Sequence, residues 1–275
     1  MTRRESTKVS DWILSLRGKR GQLEERLTFI MVLAALVGCV GGVGAIVFRL
    51  MISAIQTIFF SDLLPTVTVY VWNVNLGIML LPALGGLIIG VVVYDIAPET
   101  RGTGIPQVME AYTLEGGRIR ARIALLKVLV SSVTLGSGGS AGREGPITQI
   151  GAAAGSAMGR VLKLSENEVK LLVVSGVAAG IAGTFNAPLG GALFGIEILQ
   201  RRFSWRGTAP IVVASVVGAA VASVAFGLGP AIAAPTFNPV SRQNWGCTSS
   251  WASSSGSCHM SGFECSTCSR ISSPD

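Results

Sequence analysis

The sequence predicts an all-α, polytopic membrane protein, and three observations carry that reading. Hydrophobic residues fill 49% of the 275 positions and charged residues only 13%, against about 25% charged in soluble domains. Mean hydropathy is +0.58, so too little polar surface exists to cover a soluble core. The apolar runs are long and do not alternate, which argues against a β-barrel. Helices remain, because each satisfies its backbone groups within its own segment.

Residues 1–26 form a basic N-terminal segment. Arg3, Arg4, Lys8, Arg17, Lys19, Arg20 and Arg26 precede the first apolar run, and the net charge is +7. Such a cluster would suit nucleic acid, but beside a first span it sets topology, so no nucleic-acid partner is expected. The positive-inside rule puts this end in the cytoplasm. The first apolar run starts too late and is too long for a cleaved signal peptide. Trp12, Ile13, Leu14 and Leu16 fit either a short amphipathic helix at the interface or an unstructured tail.

Residues 27–239 read as the membrane domain. Leu27 to Phe60 is one apolar stretch, enough for a tilted span, interrupted by Arg49, which snorkels or faces protein. Leu76 to Ile96 is a second span. Ala97 to Tyr112 is a loop holding a short helix. Ile123 to Leu135 is apolar but short, and Pro146 to Leu162 is rich in Gly and Ala. Glu168 to Ala182, Pro188 to Leu199 and Ala209 to Phe226 complete the series. Several are too short to cross a core of about 30 Å unaided. Short helices broken by glycine and ending at mid-membrane depth point to a transporter-like site. Most of the 35 glycines serve close helix packing.

Residues 240–275 change character. They are Ser-rich and carry Cys247, Cys258, Cys265, Cys268 and His259. Cys265-x-x-Cys268 with Cys258 or His259 has loose zinc-like spacing, but no core surrounds it. The segment reads as a disordered or out-of-frame tail, and no metal or cofactor is expected. Cys39 alone lies in the apolar region, so no disulfide framework is implied there.

The chemistry concentrates in two loops. Gly142-Arg143-Glu144-Gly145-Pro146 sets a carboxylate before a Gly-Pro helix start. Proline favours the first helical turn, and free N–H groups there attract anions. An ionisable residue inside a membrane domain is a functional hypothesis by default. Glu144 therefore reads as a gate that competes with its own cargo. Gly102-Thr103-Gly104-Ile105-Pro106 offers a hydroxyl and further N–H groups before another helix start. Two such starts aimed at one point would cradle an anion with no full positive charge, and weak binding suits fast passage. Gly136-x-Gly138-x-x-Ala141 resembles a dinucleotide fingerprint, but no strand precedes it. Nothing assembles an enzyme's catalytic set.

These residues resemble the CLC family of chloride channels and chloride/proton exchangers. Gly102 to Pro106 is similar to the family's Gly-Ser-Gly-Ile-Pro, with Thr103 in place of serine, and Gly142 to Pro146 is identical to its Gly-Arg-Glu-Gly-Pro. Phe185-Asn186-Ala187-Pro188-Leu189 with Leu193-Phe194-Gly195-Ile196-Glu197 resembles the segment leading to the family's inner glutamates. The resemblance runs from about Leu27 to Pro239. It implies the first of two inverted repeats of the CLC fold. It also implies an anion held by Thr103, Gly104, Ile105 and Gly145, a gating Glu144, and an inner-site position at Glu197. Chloride is the implied ion and a homodimer the implied full-length state. The family's exchangers carry a Glu-Glu pair where this chain has Glu197-Ile198, a pattern similar to family channels. Glu197 also fits a structural role, paired with Arg201 or Arg202.

The family's Gly-x-Phe-x-Pro loop and later pore tyrosine are not found. The leading expectation is therefore chloride passage through a gated anion site, by a chain that is an N-terminal portion. A chloride/proton antiporter is the second reading, and an inactive membrane fragment that associates with full-length subunits is the third.

Overall fold

In the computed structural model, the described residues are 3–67, 70–71, 74–75, 77–95, 100–201, 203–227 and 229. Side chains are described from Glu25 onward, outside the two short strands. The tail expected at 240–275, with its cysteines and His259, lies outside the described residues.

Helix α1 runs from Arg3 to Thr57 and continues through a π-helical turn, Ile58–Leu63, and a short 3-10 turn, Leu64–Thr66. A ribbon of β1 (Tyr70–Val71) and β2 (Val74–Asn75) follows, with Tyr70 opposite Asn75. Then come α2 (Gly77–Asp95), α3 (Ile105–Thr113), α4 (Ala121–Gly136), α5 (Glu144–Val161) and α6 (Glu166–Phe185). Helix α7 (Pro188–Gly195) runs into a π-helical turn, Ile196–Gln200, and α8 spans Trp205–Phe226. The separate helix or loose tail expected around Trp12–Leu16 is corrected. That stretch belongs to α1, since it holds no Pro to interrupt the i to i−4 bonds.

Helix α1 shows why this is a membrane fold. Phe29, Val32, Leu36, Val40, Val43, Val47 and Leu50 recur every three or four residues and are all exposed. Leu33, Ala34, Val37, Ala45, Phe48 and Ile52 on the other side are buried. A helix that is apolar on both faces has only lipid or another apolar partner for its outer one. Among the described residues, four stretches are long and apolar enough to cross a membrane: Glu25–Thr66, Gly77–Asp95, Glu166–Phe185 and Trp205–Phe226. Arg49 lies within the first, and its guanidinium sits 4.2 Å over the Phe226 ring, a cation–π contact that accommodates the charge.

Helix α6 is the centre, packed by α5, α8, α1 and α7. It starts at Ser165, whose backbone N–H and hydroxyl both donate to Glu168 Oε2, at 3.0 and 2.6 Å. It ends at Asn186, in the left-handed region at φ 51°, one of the few residues that tolerate it. Where α5 crosses α6, a Cβ on Gly151 would run into the Gly176 carbonyl, and one on Gly176 into the Gly151 carbonyl. The two backbones touch, so neither helix can give. Gly176→Val is expected to destabilise the chain by more than about 3 kcal/mol, beyond ordinary overpacking. The check is the detergent-solubilised melting temperature, and a melt within error of the parent would contradict this packing.

Candidate anion site

The turns before α3 and α5 meet. Gly104 caps α3 at φ 102°, a conformation that favours glycine. Pro106 follows in the first turn, so the N–H groups of Gly104, Ile105 and Gln107 precede the first i to i−4 bond, Val108 N–H to Gly104 O at 3.1 Å. Helix α5 begins at Glu144 with Arg143 as N-cap, and Ile147 N–H donates to Arg143 O at 3.4 Å. The expected start at Pro146 is thus corrected. Glu144 is the first helical residue, which a carboxylate favours because it faces the positive end of the helix dipole. Pro146 has no N–H, so Glu144 and Gly145 supply the orphan donors.

Both loops line one cavity of about 780 Å³. Gly102, Thr103 and Ile105 come from one side, and Gly142, Glu144 and Gly145 from the other. Contact between them is backbone to backbone. A Cβ on Gly145 would overlap the Thr103 carbonyl, and one on Gly104 would lie 3.0 Å from the Gly145 carbonyl. The Thr148 hydroxyl donates to Gly145 O at 2.6 Å and steadies the turn. Two glutamines bridge the helices. Gln107 Nε2 donates to Arg101 O at 2.6 Å, and Gln149 Nε2 donates to Gln107 Oε1 at 2.7 Å.

Thr103 and Glu144 are exposed to this cavity, and neither side chain has a hydrogen-bond partner among the described residues. Gly104 is buried and does not line the cavity. It acts from beneath, by letting α3 approach Gly145. Glu197 is not brought to this site. It is exposed on the π-helical turn after α7, with no ion pair to Arg201.

Sequence reasoning missed Lys127. It sits mid-α4, is 4% exposed, and lines the same cavity. Its Nζ donates to Thr100 O at 2.5 Å and to Gly102 O. The expectation of an anion cradle without a full cation is therefore corrected. A lone lysine in an apolar run was the available signal, since intramembrane charges are costly to keep.

Broken helices opening on one largely apolar cavity, set among lipid-length apolar helices, define an integral, multi-pass membrane protein. The family described as "Voltage gated chloride channel" matches residues 85–256. The chain belongs to that family, the CLC family, and the match extends past Pro239. A putative chloride channel protein ClcB-like from Ralstonia nicotianae is 33% identical over 219 residues, covering 77% of this chain and 50% of the relative. An H(+)/Cl(−) exchange transporter ClcA from Citrobacter koseri is 32% identical over 201 residues, covering 69% and 42%. A slow cyanobacterial Cl⁻/H⁺ antiporter has the same fold at a TM-score of 0.65 and 24% identity, over 78% of this chain and 51% of that one. A CLC-type fluoride/proton antiporter gives 0.62, at 24% identity, over 80% and 52%. The chain spans about half the length of the curated relatives it matches.

Proposed function

We propose that this chain supplies one half of a chloride pathway. The anion would bind at the Thr103 hydroxyl and the helix starts at Ile105 and Glu144–Gly145, with Glu144 as the gate and Gly104 holding the two turns together. The observation that carries this is the shared cavity: two loops about forty residues apart in sequence converge there, with a free hydroxyl and a free carboxylate. Lys127 raises the local potential while its hydrogen bonds hold the Thr103 loop open. The full-length protein would be a homodimer with its N-terminus in the cytoplasm.

Proton-coupled exchange is the second reading, favoured by the relative named as an H(+)/Cl(−) exchange transporter. Glu197 would then be the inner group, with Ile198 as the departure from a glutamate pair. Proton movement driven by a chloride gradient separates exchange from simple passage.

A chimera tests the proposal. Residues 1–226 joined to the second half of the Ralstonia relative are expected to drive chloride efflux from liposomes, while the 275-residue chain alone carries none. No efflux from a chimera that folds as its parent does would overturn the reading. So would saturable efflux from the short chain, as regards the need for a second half.

Thr103→Val in that chimera removes the hydroxyl and leaves the backbone donors. A hydrogen bond to a charge contributes about 1.5–3 kcal/mol, so chloride affinity should fall roughly tenfold to a hundredfold. Calorimetric titration reads this directly, and an unchanged affinity would remove Thr103 from the site.

A further inference from the structure

The corner between α5 and α6 carries a second polar cavity, separate from the anion loops. It measures about 830 Å³, and its lining includes Leu114, Glu115, Arg118, Arg160, Lys163 and Glu166. Gly116 and Gly117, at φ 64° and 78°, fold the α3–α4 loop against the start of α6. Arg160 Nη2 donates to Ile119 O at 3.1 Å and ties that loop to α5.

The charges here are unevenly satisfied. Glu166 is held by Lys170, with Nζ 2.7 Å from Oε1. Arg118 and Lys163 are exposed, and their side chains make no hydrogen bond or contact ion pair among the described residues, though the Arg118 charge also acts on Glu166. An apolar side chain stands beside them: Leu114 lines the cavity and is 79% exposed. A phosphate recognises guanidinium and ammonium groups, and an acyl chain recognises an exposed Leu. The depth also fits. Arg26, where the apolar run of α1 begins, lies 2.9 Å from Glu168 in the first turn of α6. The cavity therefore lies level with the ends of two spans, at headgroup height.

We infer that the Arg118–Arg160–Lys163 cavity binds an anionic phospholipid, with its phosphate on these cations and an acyl chain along Leu114. This rests on membrane insertion and not on the chloride pathway. Native mass spectrometry of the purified 275-residue chain, mixed with phosphatidylglycerol or phosphatidylcholine, tests it. The chain should retain phosphatidylglycerol preferentially, and Arg118→Gln with Lys163→Gln should lower that retention about fivefold or more. Leu114→Ser should lower it with no change in charge, and serves if the double variant aggregates. Arg206→Gln, an exposed cation at the start of α8, should leave it unchanged. Unchanged retention in both cavity variants, an equal loss in Arg206→Gln, or displacement by equimolar inorganic phosphate would overturn the site.

Discussion

In the chimera described above, Glu144→Gln is expected to raise chloride flow. Glu144 lies at the first position of α5, inside the cavity, with no partner for its carboxylate among the described residues. Its charge and a chloride ion want the same orphan donors, those of Glu144 and Gly145. A carboxylate at an exposed helix N-terminus gains about 0.3–1 kcal/mol, which would bias the proposed gate toward its closed position. Glutamine keeps the shape and loses the charge, so the anion meets no competitor. Liposome chloride efflux checks this. A variant with the parent's flux would end the gating assignment.

Lys127→Met is expected to be the most damaging single change near the cavity. The ammonium group is buried and satisfies the Thr100 and Gly102 carbonyls together. Methionine fills similar volume but donates nothing. Losing a hydrogen bond from a charged donor costs about 1.5–3 kcal/mol, and the loop that carries Thr103 loses its anchor. Two readings should move together: a lower melting temperature, and chloride affinity reduced by more than about tenfold. Lys127→Arg keeps a charge and donors, and should recover part of the affinity. If methionine lowers stability but spares chloride affinity, Lys127 is a structural anchor only.

Most of the helices were legible because their signals are local. Expected bounds such as Leu76–Ile96 and Pro188–Leu199 lie close to α2 and to α7 with its π-helical turn. Apolar runs broken by Gly, Pro and Asn mark such ends without reference to anything distant. The two anion loops were legible for the same reason, since Gly, Pro and a lone carboxylate act within five residues. Errors arose where the deciding neighbour is remote in sequence. Lys127 looked like an interruption in an apolar helix, because its partners, Thr100 and Gly102, lie more than twenty residues away.

The sequence by itself determined that this is a helical membrane protein with two Gly/Pro turns before helix starts, one holding Glu144. Composition and short-range stereochemistry are enough for that. Only the tertiary structure decided that the turns meet in one cavity, that Gly104 works from beneath it, and that Glu197 stands elsewhere. Those outcomes follow from how closely the helix backbones approach. Gly151 against Gly176, and Gly145 against Thr103, set the approach by steric fit between segments far apart in the chain. No local pattern encodes which distant backbone will be there.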